Sequence, residues 1–384
     1  MRKVKQLIPF FLFTVVLFSS QLMYSQVTTS AINGTVVDQN GNALPGANVI
    51  VVHISSGTQY GTSTRPDGKF NLLGLRVGGP YKVTVSMVGY TTQVEEGLSL
   101  GLGQNLKIDF KLPETTIELK GVTVTAERSA ILNSSRTGAA TAITKETIEA
   151  LPTINRRIED VARLTPQYGG NYSFAGVDNR LNNMTIDGSY FNNSFGLAGQ
   201  PGDRTGVAPI SLDAIEQVQV NIAPYDVRQG NFIGAGINAV TKSGTNEISG
   251  SAYYDWRTQG LVGTKAKNNT FNPGTFKYNL MGARLSGPII KDKLFFFVSY
   301  EDDKTVTPGT TFRANLGTPG IPSTFEPAVG NVTRVLAADL DKLSSYLKTN
   351  FNYETGAYQG YDFEVPSTRF LAKLDFNLND KNKI

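Results

Sequence analysis

Catalysis and metal binding draw on a small set of side chains, and this chain is poor in most of them. Its 384 residues include one histidine, His53, and no cysteine. That rules out a thiolate nucleophile, a disulfide framework, a cysteine-based metal site and acylation of a lipoprotein cysteine. His53 lies inside an alternating apolar run, where a single imidazole is structural; zinc peptidase chemistry needs two histidines and a carboxylate. Gly234, Gly236 and Ala239 have the Gly-x-Gly-x-x-Ala spacing that cradles a dinucleotide, but that motif requires a buried strand before it and a helix after it. Polar Asp226-Val227-Arg228-Gln229-Gly230 precedes it and strand-like Val240-Thr241 follows. Asp302-Asp303 sits in loop-like sequence as a solvated pair. With no P-loop, no Ser-His-Asp set and no metal spacing, we expect no enzyme and no cofactor.

Two other groups carry chemistry of a different kind. Tyr168, Asn171, Tyr172, Tyr190, Phe191, Asn192 and Asn193 combine aromatic faces with amides, a mixture that suits sugars and siderophores and equally an ordinary loop. Glu118-Leu119-Lys120-Gly121-Val122-Thr123-Val124-Thr125-Ala126 is a short β-prone run. Extended, it puts Val122 and Val124 on one side and can join a partner's sheet edge through main-chain hydrogen bonds.

The elements around these groups begin with an export signal. Arg2, Lys3 and Lys5 precede an apolar stretch from Leu7 to Leu17, and Ser19, Ser20 and Ser25 supply small residues for cleavage near Ser25 or Gln26. The apolar core is too short to span a bilayer as a helix. Charged residues make up only 18% of the chain, and the net charge of +4 has no basic stripe interleaved with aromatics, so nucleic acid is not expected as a partner.

From Ile32 to Leu112 short strands alternate with turns. Asp38 to Gly41 and Asp67-Gly68 are turn signals, and Tyr81, Val83, Val85 and Met87 alternate with Lys82, Thr84 and Ser86. About seven strands in this space predict a small β-sandwich. Ile32-Asn33-Gly34-Thr35-Val36, Leu44 to Val49, Thr64 to Phe70 and Val83 to Tyr90 resemble the carboxypeptidase regulatory-like domain. The resemblance implies a carbohydrate- or partner-binding module, or a spacer, without peptidase activity.

Beyond it, Thr144 caps a short helix to Ala150, and Ile158, Val161 and Leu164 space a second. Asn183 to Gly188 reads as a strand closing on an Asp-Gly turn, and Val218, Val220 and Ile222 alternate. With the run from Gly234 to Asn246, this arrangement resembles the plug of TonB-dependent receptors, and the preceding Glu118 to Ala126 looks like a Ton box.

After Ser249 the alternation becomes that of a membrane strand: Ala252, Tyr254 and Trp256 against Ser251, Tyr253, Asp255 and Arg257. Further strands are expected over Phe276–Gly287, Lys293–Asp302 and Phe370–Leu378. They are separated by a long loop, a short turn at 288–292 and the connection 305–366. Long-short-long order fits extracellular loops and periplasmic turns, and places Trp256, Tyr278, Tyr300 and Phe370 in an outer aromatic girdle. The spacing of Val332, Val335, Leu336, Leu340, Leu343, Leu347 and Phe351 predicts a helix.

The expected architecture is therefore mainly β. It comprises a signal peptide (1–26), an immunoglobulin-like or prealbumin-like sandwich (28–113), a linker with the Ton-box-like segment (114–137), an α+β plug (138–246) and the first four strands of an incomplete transmembrane β-barrel (247–384). Four strands cannot close around a plug, so the sequence is expected to be a fragment of a longer protein. The order of parts resembles the Oar-like branch of the TonB-dependent receptors. That resemblance implies energy-coupled uptake of a bulky ligand (siderophore, oligosaccharide or peptide) across the Gram-negative outer membrane. It also implies TonB with its inner-membrane energising complex, outer-membrane lipid and a surface lipoprotein as partners. Residues Glu118, Leu119, Val122, Thr123, Val124 and Thr125 would meet TonB. Two rival readings stay open: a surface adhesion or carbohydrate-binding protein using the barrel as an anchor, and a periplasmic carbohydrate-binding protein.

Overall fold

The computed structural model describes residues 27–378 apart from 115–121, 126–138, 152, 154–155, 194–198, 225–228, 271–273 and 310–311. The proposed signal peptide, with Glu118 and Leu119, lies outside the described residues. Two compact units divide the chain. The first holds the described residues up to Ser249, Leu285–Val298 and those from Leu371 on; the second holds Gly250–Arg284 and Ser299–Phe370.

The first unit opens with a β-sandwich. One sheet runs β4 (Lys69–Leu75), β1 (Ser30–Val37), β7 (Asn105–Lys107), with β8 (Phe110–Lys111) also paired to β1. The other runs β3 (Thr58–Ser63), β2 (Asn48–His53), β5 (Gly78–Ser86), β6 (Gln93–Leu100), β9 (Val122–Thr125). Period-2 alternation fills the space between them: Val49 and Val51 on β2 and Tyr81, Val83 and Val85 on β5 are wholly buried against Ile32, Val36 and Phe70. The motif residues have steric and polar reasons. A Cβ at Gly34 would occupy the place of the Ile108 carbonyl oxygen. Buried Thr64 donates its hydroxyl to the Leu44 carbonyl (2.6 Å) and accepts the Ala47 N–H (2.8 Å), tying the Leu44–Ala47 turn to the start of the Arg65–Gly68 hairpin.

The segment expected to form a plug follows, a sheet ordered β10 (Ala139–Thr144), β15 (Ile215–Ala223), β16 (Gly236–Thr241), β13 (Asn183–Ile186), β14 (Ser189–Tyr190). Helices α1 (Lys145–Ala150) and α2 (Ile158–Ala162) and the small hairpin β11 (Tyr168–Gly170), β12 (Ser173–Phe174) pack Ile148, Val161 and Phe174 into the same core as Met184, Val218 and Ile237. The Gly-x-Gly spacing is a packing device. A Cβ on Gly234 would strike the Asn182 side chain and one on Gly236 the Phe232 ring, and β16 follows as a strand.

Four long strands complete the order: β17 (Ser249–Thr258), β20 (Lys277–Ile290), β21 (Leu294–Pro308) and β24 (Asp362–Phe376) lie side by side. The hairpin β18 (Lys265–Ala266), β19 (Asn269–Thr270) fills the first long connection. β22 (Arg313–Asn315), β23 (Val332–Leu336) and α3 (Ala337–Phe351) fill the second. Along β21, Phe295, Phe297, Ser299, Glu301 and Asp303 are buried while Tyr300 is exposed. On β24, Phe370 and Leu374 are exposed and Leu371 and Lys373 are not. From Ser299 onward on β21 the buried set is polar, and Tyr300, Phe370 and Leu374 face outward, as in a strand whose solvent is lipid.

Four expectations need correction. Asp302-Asp303 is not a solvated loop pair: both lie within β21, where Asp303 is buried against Arg369 and Asp302 accepts the Thr368 hydroxyl (2.8 Å). Tyr278 leaves the outer girdle: it lies under the Arg257 guanidinium (4.2 Å) on the inward face it shares with Leu280 and Gly282, whereas Trp256, Tyr300 and Phe370 are exposed. The helix begins at Ala337, because Val332–Leu336 is β-branched enough to pair in parallel with β22. The short turn is 291–293, because β20 and β21 keep pairing beyond the apolar stretch.

Candidate functional site

The Ton-box-like segment is present as β9, the end strand of the second sandwich sheet. It runs parallel to β6 in the register Gln93 to Val122, Val94 to Thr123, Glu95 to Val124 and Glu96 to Thr125. β6 is positioned on its other side by β5, where Val83, Thr84 and Val85 oppose Glu95, Val94 and Gln93. The chain leaving the sandwich is already tied to this corner, for the Thr91 N–H donates to the Pro113 carbonyl at 2.8 Å. Sequence reasoning placed this strand in a linker and missed its seat on β6, because a sheet edge formed by Gln93–Glu96 carries no side-chain signal of what will pair with it.

The sandwich is itself held to its neighbours in the first unit. The Leu102 N–H donates to Gln217 Oε1 (2.9 Å) on the plug strand β15. The Asn246 N–H donates to the Ser55 carbonyl (2.9 Å), Asn377 Nδ2 donates to Thr58 Oγ1 (2.9 Å), and Arg76 pairs with Asp375 (3.5 Å). His53 belongs to this seam: its Nδ1 meets Ser56 Oγ at 2.7 Å, and Ser56 meets Thr58 at 2.7 Å. Burial, with the Arg76 charge nearby, pushes the imidazole down to about 4, so it is neutral at physiological pH.

In the plug, the seven predicted ligand residues separate. Asn171 and Tyr172 form the turn of the β11–β12 hairpin in left-handed backbone (φ 47° and 55°), but only Asn171 is exposed; the Tyr172 ring is in the core. Tyr168 is half-buried, edge-on to Phe174 at 5.5 Å, and donates to Glu159 Oε1 at 3.2 Å. Tyr190 is exposed and Phe191 packs partly on the plug core. Asn192 is a structural clip: its Oδ1 accepts the Met184 N–H (2.8 Å) and its Nδ2 donates to Asn183 Oδ1 (2.7 Å). Asn193 is half-buried, and its N–H donates to the Gly199 carbonyl at 3.4 Å.

Sequence reasoning also missed the plug's polar interior. Asn182 donates to the Tyr172 carbonyl (2.6 Å) and accepts the Ala235 N–H (2.9 Å), and Thr185 donates to Asn238 (2.7 Å). Asp187, in the expected Asp-Gly turn, accepts the Thr241 N–H (2.9 Å) and hydroxyl (2.5 Å), and Lys373 Nζ reaches that hydroxyl at 3.3 Å. Lys242, almost wholly buried, pairs with Glu149 (3.2 Å) and Asp213 (3.5 Å). These links bind the plug to itself and to the inner face of β24.

The parts have known counterparts. Residues 31–113 match the carboxypeptidase regulatory-like domain, and residues 240–384 match an outer membrane beta barrel domain. Over 317 residues, 75% of this chain, the sequence is 26% identical to the TonB-dependent transporter Oar of Myxococcus xanthus. The chain is thus similar to TonB-dependent transporters over three quarters of its length. It is also 26% identical over 224 residues, 53% of its length, to the probable TonB-dependent siderophore receptor PirA of Acinetobacter baumannii. The crystal structure of that PirA aligns with 44% of this chain and 24% of its own at 25% identity, with a TM-score of 0.33. The chain spans 28% of the length of each of these two curated relatives. Both are transporters or receptors rather than enzymes, and the matched barrel domain makes this an outer-membrane protein.

Proposed function

We propose that this chain is the plug-bearing part of a receptor that imports a bulky ligand across the outer membrane, with β9 as the strand that TonB grips. The observation that carries the proposal is the strand itself: Val122–Thr125 is extended and edge-paired, between a sandwich and a plug. A segment that adds to one sheet edge by main-chain hydrogen bonds can add to another of similar shape. The ligand is a siderophore, an oligosaccharide or a peptide, and its contacts on the plug are the accessible members of the aromatic and amide set, Asn171, Tyr190, Tyr168, Phe191 and Asn193. Tyr172 and Asn192 support them from beneath. Transport draws on TonB and its inner-membrane energising complex, and a surface lipoprotein is a further partner on the ligand side. Import is favoured over adhesion because the sandwich is tied to residues near the short turn, Asn246, Asp375 and Asn377.

The test is binding of the periplasmic C-terminal domain of TonB to the full-length receptor in outer-membrane vesicles. Replacing Val122 and Val124 by Pro removes two main-chain donors. It is expected to cut binding at least tenfold at unchanged receptor level; unchanged binding refutes the assignment of this strand.

A further inference from the structure

We propose that the first long connection and the start of β20 form a headgroup hook, whose exposed lysines bind the phosphate groups of lipopolysaccharide in the outer leaflet beside the strands. The proposal goes beyond the import reading and shares with it only the outward direction of this end of the strands.

Charge is spread unevenly along the chain. Between Asp255 and Asp292 the sequence contains no carboxylate, yet it contains Arg257, Lys265, Lys267, Lys277, Arg284 and Lys291. Of these, Lys265, Lys267 and Lys277 are exposed and have no ion-pair partner among the described residues. The second long connection is built the other way. There Arg313 pairs with Glu326 and Lys348 with Glu354, each at 2.7 Å. Lysines without nearby carboxylates keep their field for an anion from outside the chain.

The hairpin that carries Lys265 and Lys267 has no core. β18 and β19 pair with each other, Lys265 opposite Thr270 and Ala266 opposite Asn269, and every residue from Gln259 to Thr270 is exposed. A lone two-stranded hairpin is marginal in water. Lys267 sits at its tip in left-handed backbone (φ 53°), a conformation that two-residue turns normally give to Gly, Asn or Asp. A lysine held there, on a hairpin with nothing beneath it, fits a tip whose partner is not protein of this chain.

The surroundings name the partner. On β17 the exposed Tyr254 and Trp256 form part of the lipid-facing set, and they lead into Leu261 and Val262, also exposed, at the foot of the hairpin. The connection thus offers apolar side chains at its base and ammonium groups further along. An outer leaflet presents acyl chains and phosphates in the same order. A soluble anion would account for the lysines but not for the apolar foot; a phosphorylated lipid accounts for both.

The test uses the full-length receptor in phosphatidylethanolamine vesicles with and without lipopolysaccharide. Trypsin cleavage after Lys265 and Lys267 is followed by mass spectrometry. Lipopolysaccharide is expected to slow cleavage at least fivefold, and salt at about 1 M, which screens charges beyond a few ångströms, is expected to remove the protection. Lipopolysaccharide stripped of its phosphates is expected not to protect. In a second measurement, the Lys265→Gln/Lys267→Gln/Lys277→Gln receptor is expected to retain at least threefold less lipopolysaccharide through purification than wild type. Lys291→Gln, at the opposite end of β20, is expected to retain the wild-type amount. Equal cleavage in the two vesicles overturns the proposal, and so does protection by the dephosphorylated lipid or by inorganic phosphate without lipid. Unchanged retention by the triple variant overturns it as well. The triple variant is expected to bind TonB like wild type, so the coupling assignment of Val122 and Val124 and the lipid site fail in separate assays.

Discussion

The sandwich and the barrel strands are written in the same period-2 code with opposite meaning. On β5, Tyr81, Val83 and Val85 point inward and are wholly buried, while Lys82 and Thr84 meet water. On β21 and β24 the inward set includes Ser299, Glu301, Asp303, Arg369 and Lys373, and the exposed set includes Tyr300, Phe370 and Leu374. Inward Arg369 pairs with Glu301 at 2.8 Å and also with Asp303, and Tyr253 bonds Glu301. Alternation alone therefore gives the register of a strand but not its inside. The inside is fixed by what the outer face is immersed in, and the loop-turn-loop spacing after Ser249 supplied that information.

The sharpest break of this symmetry is a carboxylate on the buried apolar face of the sandwich. Val83→Asp in the sandwich puts an unpaired charge in a sealed core and should cost about 4–5 kcal/mol or unfold the domain. Chemical denaturation of a fragment spanning residues 27–114 measures it. A second contrast uses protons. His53 is buried neutral, so its folded pKa of about 4 lies below the unfolded value near 6.5. The unfolded chain binds the proton more tightly between these values. The sandwich is then fully stabilised above about pH 6.5, and it loses about 3 kcal/mol as pH falls toward 4. Thermal unfolding from pH 7 to pH 4 should show that slope, and His53→Gln should flatten it. The smallest effect is expected on the outer face. Leu374→Arg, at a side chain 66% exposed, should cost about 2 kcal/mol in a bilayer and almost nothing in urea-solvated strands. Comparing unfolding from lipid vesicles with wild type reads it, and an indifferent Leu374→Arg would mean that β24 does not face lipid.

Most of the scaffold was legible in the sequence because it rests on local signals. The Tyr81-Val83-Val85 alternation, the Asp187-Gly188 turn and the Leu374-Phe376 face each state their own geometry. What escaped was set by partners distant in sequence. Val332 to Leu336 satisfies helical and strand spacing alike, and only β22 decides. Tyr278 is as aromatic as Trp256, but Arg257 draws it inward. Tyr172, an apparent surface residue among Asn and Gly, is buried because the Asn182 amide captures its carbonyl. The seat of β9 is made by backbone groups that every residue carries, so its composition could not announce the site.

The position of β10 in the plug has a mechanical corollary. β10 is the outermost strand of its sheet, joined to β15 alone, and its first residue, Ala139, pairs with Ala223 at the end remote from Thr241. Tension arriving from the N-terminal side therefore meets the plug at a frayable margin and can unzip it one rung at a time. The Thr241–Lys373 tie lies two ladders further in, on β16, and would bear stress last. A sheet so arranged gives way at its margin first, while its inner strands stay seated.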